Sequence, residues 1–361
     1  MLFRRTKQLN MKKVLFAAFA LALILSSCGG QKPVMINTLR PADLAIDQSI
    51  QTILLVDRTK PSKRDNWLNI GEGVLTGEMP AQDKAAAQEA LNSLKNALQT
   101  SPRFEVLIAS ERLEGNSLTA AFPDPLAEHL QFNMINRYQA DALIVLEVMD
   151  SDFIITEGKR KVKRKVGEGK NRREIEVDEW YAQGVGNIKV GLRFYNPRNK
   201  ELIDQQMISQ TNTWEGAADS KAGAIAALIS RADAVRHLCG KIGHDYAYKV
   251  APMPITLRRV FYTKSKESPE LEEGGRMAEV GQWKEAIAVW EAGIPRATEQ
   301  KDRGRMAYNI AVAYEVLGDL TQAKAWAQNA YSKYGNKTAR TYAAQLQNRM
   351  NDEQALQNQL N

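Results

Sequence analysis

The 361-residue chain holds only three histidines and two cysteines, and they are not grouped in a way that would build a metal centre. His237-x-Cys239-x4-His244 comes nearest. On a helix its two histidines share a face while Cys239 points elsewhere, and no carboxylate stands at the spacing that would complete a tetrahedral set. No Gly-x-Ser-x-Gly elbow, His-Glu-x-x-His helix or Ser-His-Asp order occurs. Gly71-x-Gly73-x3-Gly77 lacks the Gly-Lys-Ser/Thr ending of a phosphate loop, and its third glycine is misplaced for a dinucleotide fingerprint. Beyond residue 27 no apolar run approaches the roughly 20 residues that span a bilayer; Ala222 to Ile229 is the nearest candidate. These absences lead us to expect no cofactor, no bound metal and no catalytic residues.

What is present begins near the start. Lys12 and Lys13 precede an uninterrupted apolar run from Val14 to Leu25, and Ser26-Ser27-Cys28 closes it. A positive segment, a short apolar segment and a small-residue cleavage site make a secretory signal, with translation starting at Met1 or Met11. The cysteine at the cut resembles the lipobox of bacterial lipoproteins, which implies lipidation of Cys28 and a membrane anchor there. Cys239 is then the sole remaining thiol, which excludes an intramolecular disulfide despite an oxidising compartment.

Formal charge is +7, but Arg4, Arg5, Lys7, Lys12 and Lys13 belong to the leader. The basic balance is therefore no argument for nucleic acid, and no nucleic-acid partner is expected.

The organisation reads as a signal at 1–27, a lipidated tether at 28–33, an α/β domain at 34–262, a helical region at 263–350 and a disordered tail at 351–361. Val34 to Leu39, Ile50 to Val56, Phe104 to Ala109 and Ala142 to Met149 read as strands, and 83–99 and 125–138 as helices. Tyr181 to Tyr195 and Leu202 to Trp214 pair as a hairpin across Asn196-Pro197-Arg198-Asn199. One long helix is expected over 216–248, and Leu257 to Tyr262 as an edge strand. Strands alternating with helices and then a terminal meander imply a mixed sheet with flanking helices.

The last hundred residues are alanine-rich and carry a weak repeat. Gly281-Gln282-Trp283-Lys284-Glu285-Ala286 is echoed by Gly318-Asp319-Leu320-Thr321-Gln322-Ala323 at an offset of 37, close to the tetratricopeptide period of about 34 residues. Ala307, Ile310, Ala311, Tyr314, Ala327 and Ala330 stand where that repeat places its packing residues. An all-α, tetratricopeptide-like region follows, with Trp283, Trp290, Tyr314 and Trp326 as candidate partner-binding residues.

One charge cluster stands out. Lys159, Arg160, Lys161, Lys163, Arg164, Lys165, Lys170, Arg172 and Arg173 share the segment 159–173 with a single acid, Glu168. The segment lies within a hairpin insertion at 151–180. It reads as a solvated hairpin, or as a surface for anionic headgroups, lipopolysaccharide phosphate or an acidic partner. Asp57-Arg58 and Asp150-Ser151-Asp152 sit at expected strand ends, where α/β sites gather.

The lipobox, Leu54-Leu55-Val56-Asp57-Arg58, Arg258-Arg259-Val260-Phe261-Tyr262 and Gly281-Gln282-Trp283-Lys284-Glu285-Ala286 with Trp290 together resemble a family of uncharacterised Gram-negative lipoproteins. That family pairs an α/β domain with tetratricopeptide-like repeats. In strand–helix order and in Ala140-Asp141-Ala142-Leu143-Ile144-Val145, residues 50–214 also look like the periplasmic domain of the curli secretion channel lipoprotein. The charged insertion departs from a channel, because it cannot supply lipid-facing strands. The leading expectation is a noncatalytic outer-membrane lipoprotein on the periplasmic face, a scaffold or assembly factor that binds protein partners through its helical region. An oligomerising accessory subunit of an envelope complex and an envelope hydrolase are the alternatives.

Overall fold

The computed structural model describes residues 30–59, 74–76, 80–115, 121–167 and 172–360. The leader, Cys28, Gly71, Gly73, Gly77 and Lys170 lie outside the described residues. The chain order begins β1 (Gln31–Arg40), β2 (Thr52–Asp57), β3 (Val74–Thr76), α1 (Pro80–Leu98), β4 (Glu105–Ile108), α2 (Glu128–Tyr138) and β5 (Ala142–Val166). It continues β6 (Arg173–Asn196), β7 (Glu201–Ala218), α3 (Lys221–Ala226), α4 (Arg231–Val250) and β8 (Met253–Tyr262). Five helices end it: α5 (Pro269–Glu279), α6 (Trp283–Gly293), α7 (Gln300–Val316), α8 (Leu320–Ser332) and α9 (Lys337–Leu360). An α/β part is thus followed by an all-helical part. Two compact units form, residues 41–253 with 358–361, and residues 1–40 with 254–357.

In the α/β unit the sheet runs β4-β2-β5-β6-β7, with β3 added on β5. β2 is parallel to β4 and β5, while the β5–β6 and β6–β7 pairs are antiparallel. The period of two along a strand explains the layering. Ile53, Leu55, Ile144 and Leu146 pack with α1 and α4 residues such as Leu91, Leu94, Leu238 and Ile242. Leu54, Val56, Leu143 and Val145 pack with Met134 and Ile135 of α2. Burial on both faces is why β2 and the start of β5 read as unbroken apolar runs. Helices α1 and α4 approach so closely at Gly243 that a Cβ there would stand 2.7 Å from the Ser93 backbone.

Three expectations change. The single helix over 216–248 is instead the end of β7, then α3 and α4, because Ser220 and Ser230 each cap a new start. Ser220 accepts from Gly223 N and Ser230 from Asp233 N. The strand near 257–262 is longer, and it does not edge the large sheet. As β8 it pairs with β1 in a separate two-stranded sheet within the helical unit. The tail expected to be disordered continues α9 to Leu360, with Leu356 buried. Its glutamines and leucines are competent helix formers.

In the helical unit the sequence echo occupies equivalent turns. Gly281 and Gly318 have φ of +81° and +86°, a left-handed conformation that glycine adopts without a Cβ penalty. Gln282 N donates to Met277 O, and Asp319 N to Tyr314 O, at the same offset in both copies. Ala286, Ala323, Ala327 and Ala330 are fully buried, or nearly so, between helices. Gly274 leaves room for the indole of Trp290, whose Nε1 a Cβ would strike.

Candidate functional site

The densest set of specific contacts lies where α7 and α9 hold β8. Strand β8 ends in Arg258-Arg259-Val260-Phe261-Tyr262, and Phe261 is buried edge-on against Trp283 at 5.5 Å between ring centroids. Tyr262 packs edge-on against Tyr308 of α7 at 5.5 Å. Asn309, one position on, treats Tyr262 as a neighbouring strand would. Tyr262 N donates to Asn309 Oδ1 at 2.7 Å, and Asn309 Nδ2 donates to Tyr262 O at 2.7 Å.

Glu315, two helical turns after Tyr308, takes the other end. Its carboxylate is fully buried and accepts a bidentate pair from Arg259, Nε at 2.8 Å and Nη2 at 3.0 Å. Tyr342 OH of α9 donates to Glu315 Oε2 at 2.6 Å, and Arg349 Nη1 reaches Oε1 at 3.5 Å. Burial, and then the Glu315 charge, push the Tyr342 hydroxyl far above its ordinary value, so it stays a donor. Such fork-to-fork geometry is rigid as well as strong. The face made by alternate helices therefore holds an extended segment of its own chain by main-chain and charge recognition.

Among the candidate partner-binding residues, Trp290 is fully buried and donates Nε1 to Leu271 O at 3.3 Å, so it belongs to the core. Trp283 is committed to Phe261. Tyr314 and Trp326 are half-buried against the same core. We expect Asn309→Ala to cost the helical unit about 1–3 kcal/mol, because a strand N–H and C=O lose their partners together. Urea unfolding followed by circular dichroism, with faster exchange of the Tyr262 amide, checks this.

A second buried ionic cluster sits in the α/β unit, where β2 and β5 end their parallel pairing. The β5–β6 register shifts between Leu146 and Val148, and the residue at that bulge is Glu147. Bulges re-aim side chains. Arg58 Nη1 donates to Glu147 Oε2 at 2.9 Å and to Asp124 O at 2.8 Å. Tyr195 OH donates to Glu147 Oε1 at 3.1 Å, while Arg193 stands 3.5 Å from that oxygen and donates to Pro123 O at 2.8 Å. Burial raises the Glu147 carboxyl against the pull of both guanidiniums. Asp57 is paired with Arg112 at 3.2 Å. Asp150, Ser151 and Asp152 lie within β5, not at its end.

The basic segment forms the outer part of the β5–β6 hairpin, and its facing strand answers it in charge. The ladder sets Arg160 opposite Glu179, Lys161 opposite Asp178, Lys163 opposite Glu176 and Lys165 opposite Glu174. Arg160 pairs with Glu179 at 2.9 Å and Glu215 at 2.7 Å; Arg164 pairs with Glu179 at 3.0 Å and Asp219 at 2.7 Å. Lys159 lies over the Trp180 ring at 4.8 Å. Arg172 and Arg173 are exposed near the tip. Cross-strand pairing of this kind stabilises a narrow arm, and lysines along an open edge discourage strand addition.

His237 stacks edge-on against Trp214 and His244 against Tyr248. Burial pushes the Cys239 thiol up to about 12. No group of three metal-ligating side chains occurs among the described residues. No helix among them is long and apolar enough to cross a membrane.

Fold and site together define a mixed α/β unit joined to a helical unit that binds a strand of its own chain. The chain belongs to the family described as Domain of unknown function (DUF8603), whose model matches residues 50–262. A second model, Domain of unknown function (DUF6340), matches residues 272–354. No curated protein matches the chain. Among solved structures, a PelC dodecamer from Paraburkholderia phytofirmans is 11% identical, covering 60% of this chain and 98% of its own, with a TM-score of 0.24. A homolog of a neuraminyllactose-binding hemagglutinin from Helicobacter pylori is 10% identical, covering 57% and 83%, with a TM-score of 0.22. Likeness at this level leaves function to be read from the chain itself.

Proposed function

We propose that this protein is a lipid-anchored, noncatalytic scaffold of the bacterial envelope, held at the outer membrane through Cys28 on the periplasmic face. Its helical unit, read as tetratricopeptide-like, meets protein partners through its turns. One observation carries the partner assignment. With β8 seated on the alternate-helix face, the large apolar side chains left exposed include Val280 and Leu317. Each directly precedes a left-handed glycine, so the two equivalent turns present an apolar residue at the same position. Leu317 also borders a shallow cavity of about 490 Å³ shared with Met350 and Gln354 of α9.

The anchor is tested by Cys28→Ser, which should abolish incorporation of labelled palmitate and leave the leader uncleaved; each buried lipid CH₂ contributes about 0.8 kcal/mol to retention. Labelled palmitate in the variant would remove the anchor. The scaffold is tested by cross-linking in intact cells with Val280→Ser and Leu317→Ser combined. We expect specific adducts of the wild-type chain to disappear while helix content is kept. An unchanged adduct pattern would remove this surface.

A further inference from the structure

We propose that the helical unit contains a binding site for a phosphate-bearing ligand, in the cavity beside the end of β8. The cavity is about 520 Å³, and its charged lining residues are Lys301, Arg305 and Lys337, with no acid among them. Tyr262 and Tyr334 contribute to its wall and Thr338 adds a hydroxyl. Lys301 and Lys337 are exposed, and no ion pair or hydrogen bond of either ammonium is found among the described residues. Arg305 is held in place by Asp302 at 3.1 Å and Lys264 O at 3.3 Å, over the Tyr262 ring. Asp302 is itself buried and bound by Ser265 and Ser268, so it fixes the guanidinium and leaves the two ammonium charges uncompensated.

The site draws on side chains and not on a helix end, because the first N–H groups of α9, those of Thr338 and Ala339, already donate to Asn336 Oδ1. Two free ammonium groups beside a guanidinium suit an anion of charge about −1.5 to −2 with three acceptor oxygens, which is a phosphate monoester. A single carboxylate would leave one ammonium unanswered. The volume lies in the range of small-molecule sites, roughly 300–1,000 Å³, so it admits the phosphate together with an attached glycerol or sugar. The ester can arrive on a lipid headgroup or as a soluble metabolite.

The experiment is calorimetric titration of the full mature chain in dodecyl maltoside with glycerol phosphate, with citrate as a carboxylate comparison. Saturable binding of glycerol phosphate is expected, weaker for citrate. Lys301→Gln with Lys337→Gln should lower the affinity about tenfold or more, since each charge-assisted contact accounts for about one decade. Lys284→Gln, outside the cavity, should leave it unchanged, and circular dichroism of all variants should match the parent. Charge reversal by Lys337→Glu alone should remove saturation. Micelles doped with phosphatidic acid separate the sources: competition with glycerol phosphate assigns a lipid headgroup, and lack of competition assigns a soluble ester. Absence of saturable binding, tighter binding of citrate, or equal affinity in the double variant would overturn the proposal.

Discussion

Glu315→Ala should destabilise the helical unit by about 3–5 kcal/mol, because removing one member of a buried ionic cluster leaves its partners uncompensated. Here the partners are two. The Arg259 and Arg349 side chains are 12% exposed and meet at one fully buried carboxylate. Tyr342 would also lose the acceptor of its 2.6 Å hydrogen bond. The expected loss is a large share of the roughly 5–15 kcal/mol that stabilises an ordinary domain. Strand β8 should release with it, because Arg259 is that strand's charged link to α7. Glu315→Gln, which keeps an acceptor oxygen, should be milder. Urea unfolding monitored by far-ultraviolet circular dichroism, with limited proteolysis across 258–268, measures the effect. A midpoint unchanged from the parent would show that the carboxylate does not hold the strand.

Glu147→Ala should cost the α/β unit a similar amount, about 3–5 kcal/mol, through a different element. Arg58 and Arg193 both point at Glu147 and both also donate to the carbonyls of the 123–124 segment. Without the carboxylate those guanidiniums stay buried with only neutral acceptors. Breaking such a triad costs far more than the triad's net worth, since an apolar replacement of all its members can be nearly neutral. The triple change Arg58→Met, Glu147→Leu, Arg193→Met should therefore recover much of the loss. Thermal unfolding of the single and triple variants separates the two cases. Equal destabilisation of both would mean that packing, and not charge, is what Glu147 supplies.

Much of the fold was legible from periodicity, and the misreadings have physical causes. The apolar runs at β2 and the start of β5 and the alternation of β6 marked the sheet, because burial of one or both faces imposes those patterns. The helix expected over 216–248 failed at Ser220 and Ser230, where a hydroxyl cap outweighs a continuous apolar stripe. The basic segment looked like an anionic-surface site because attention stopped at Arg173. Glu174, Glu176, Asp178 and Glu179 follow at once, and antiparallel pairing folds them back onto the lysines. A fuller reading of the same hairpin would have found this.

Composition and pattern alone determined the leader, the order of an α/β part before a helical part, and the small residues and left-handed glycines of the helix turns. These are local properties: a period, a cap or a missing Cβ acts over one or two turns of chain. Only the tertiary structure decided which strand is held by the helices. Arg259 and Glu315 are 56 residues apart, as many as separate that glutamate from other acids no less polar in sequence. Nothing local distinguishes the one that becomes buried. The pairing of β8 with β1, more than two hundred residues away, has the same origin. Long-range partners are chosen by which polar groups must find one another once the apolar faces have closed.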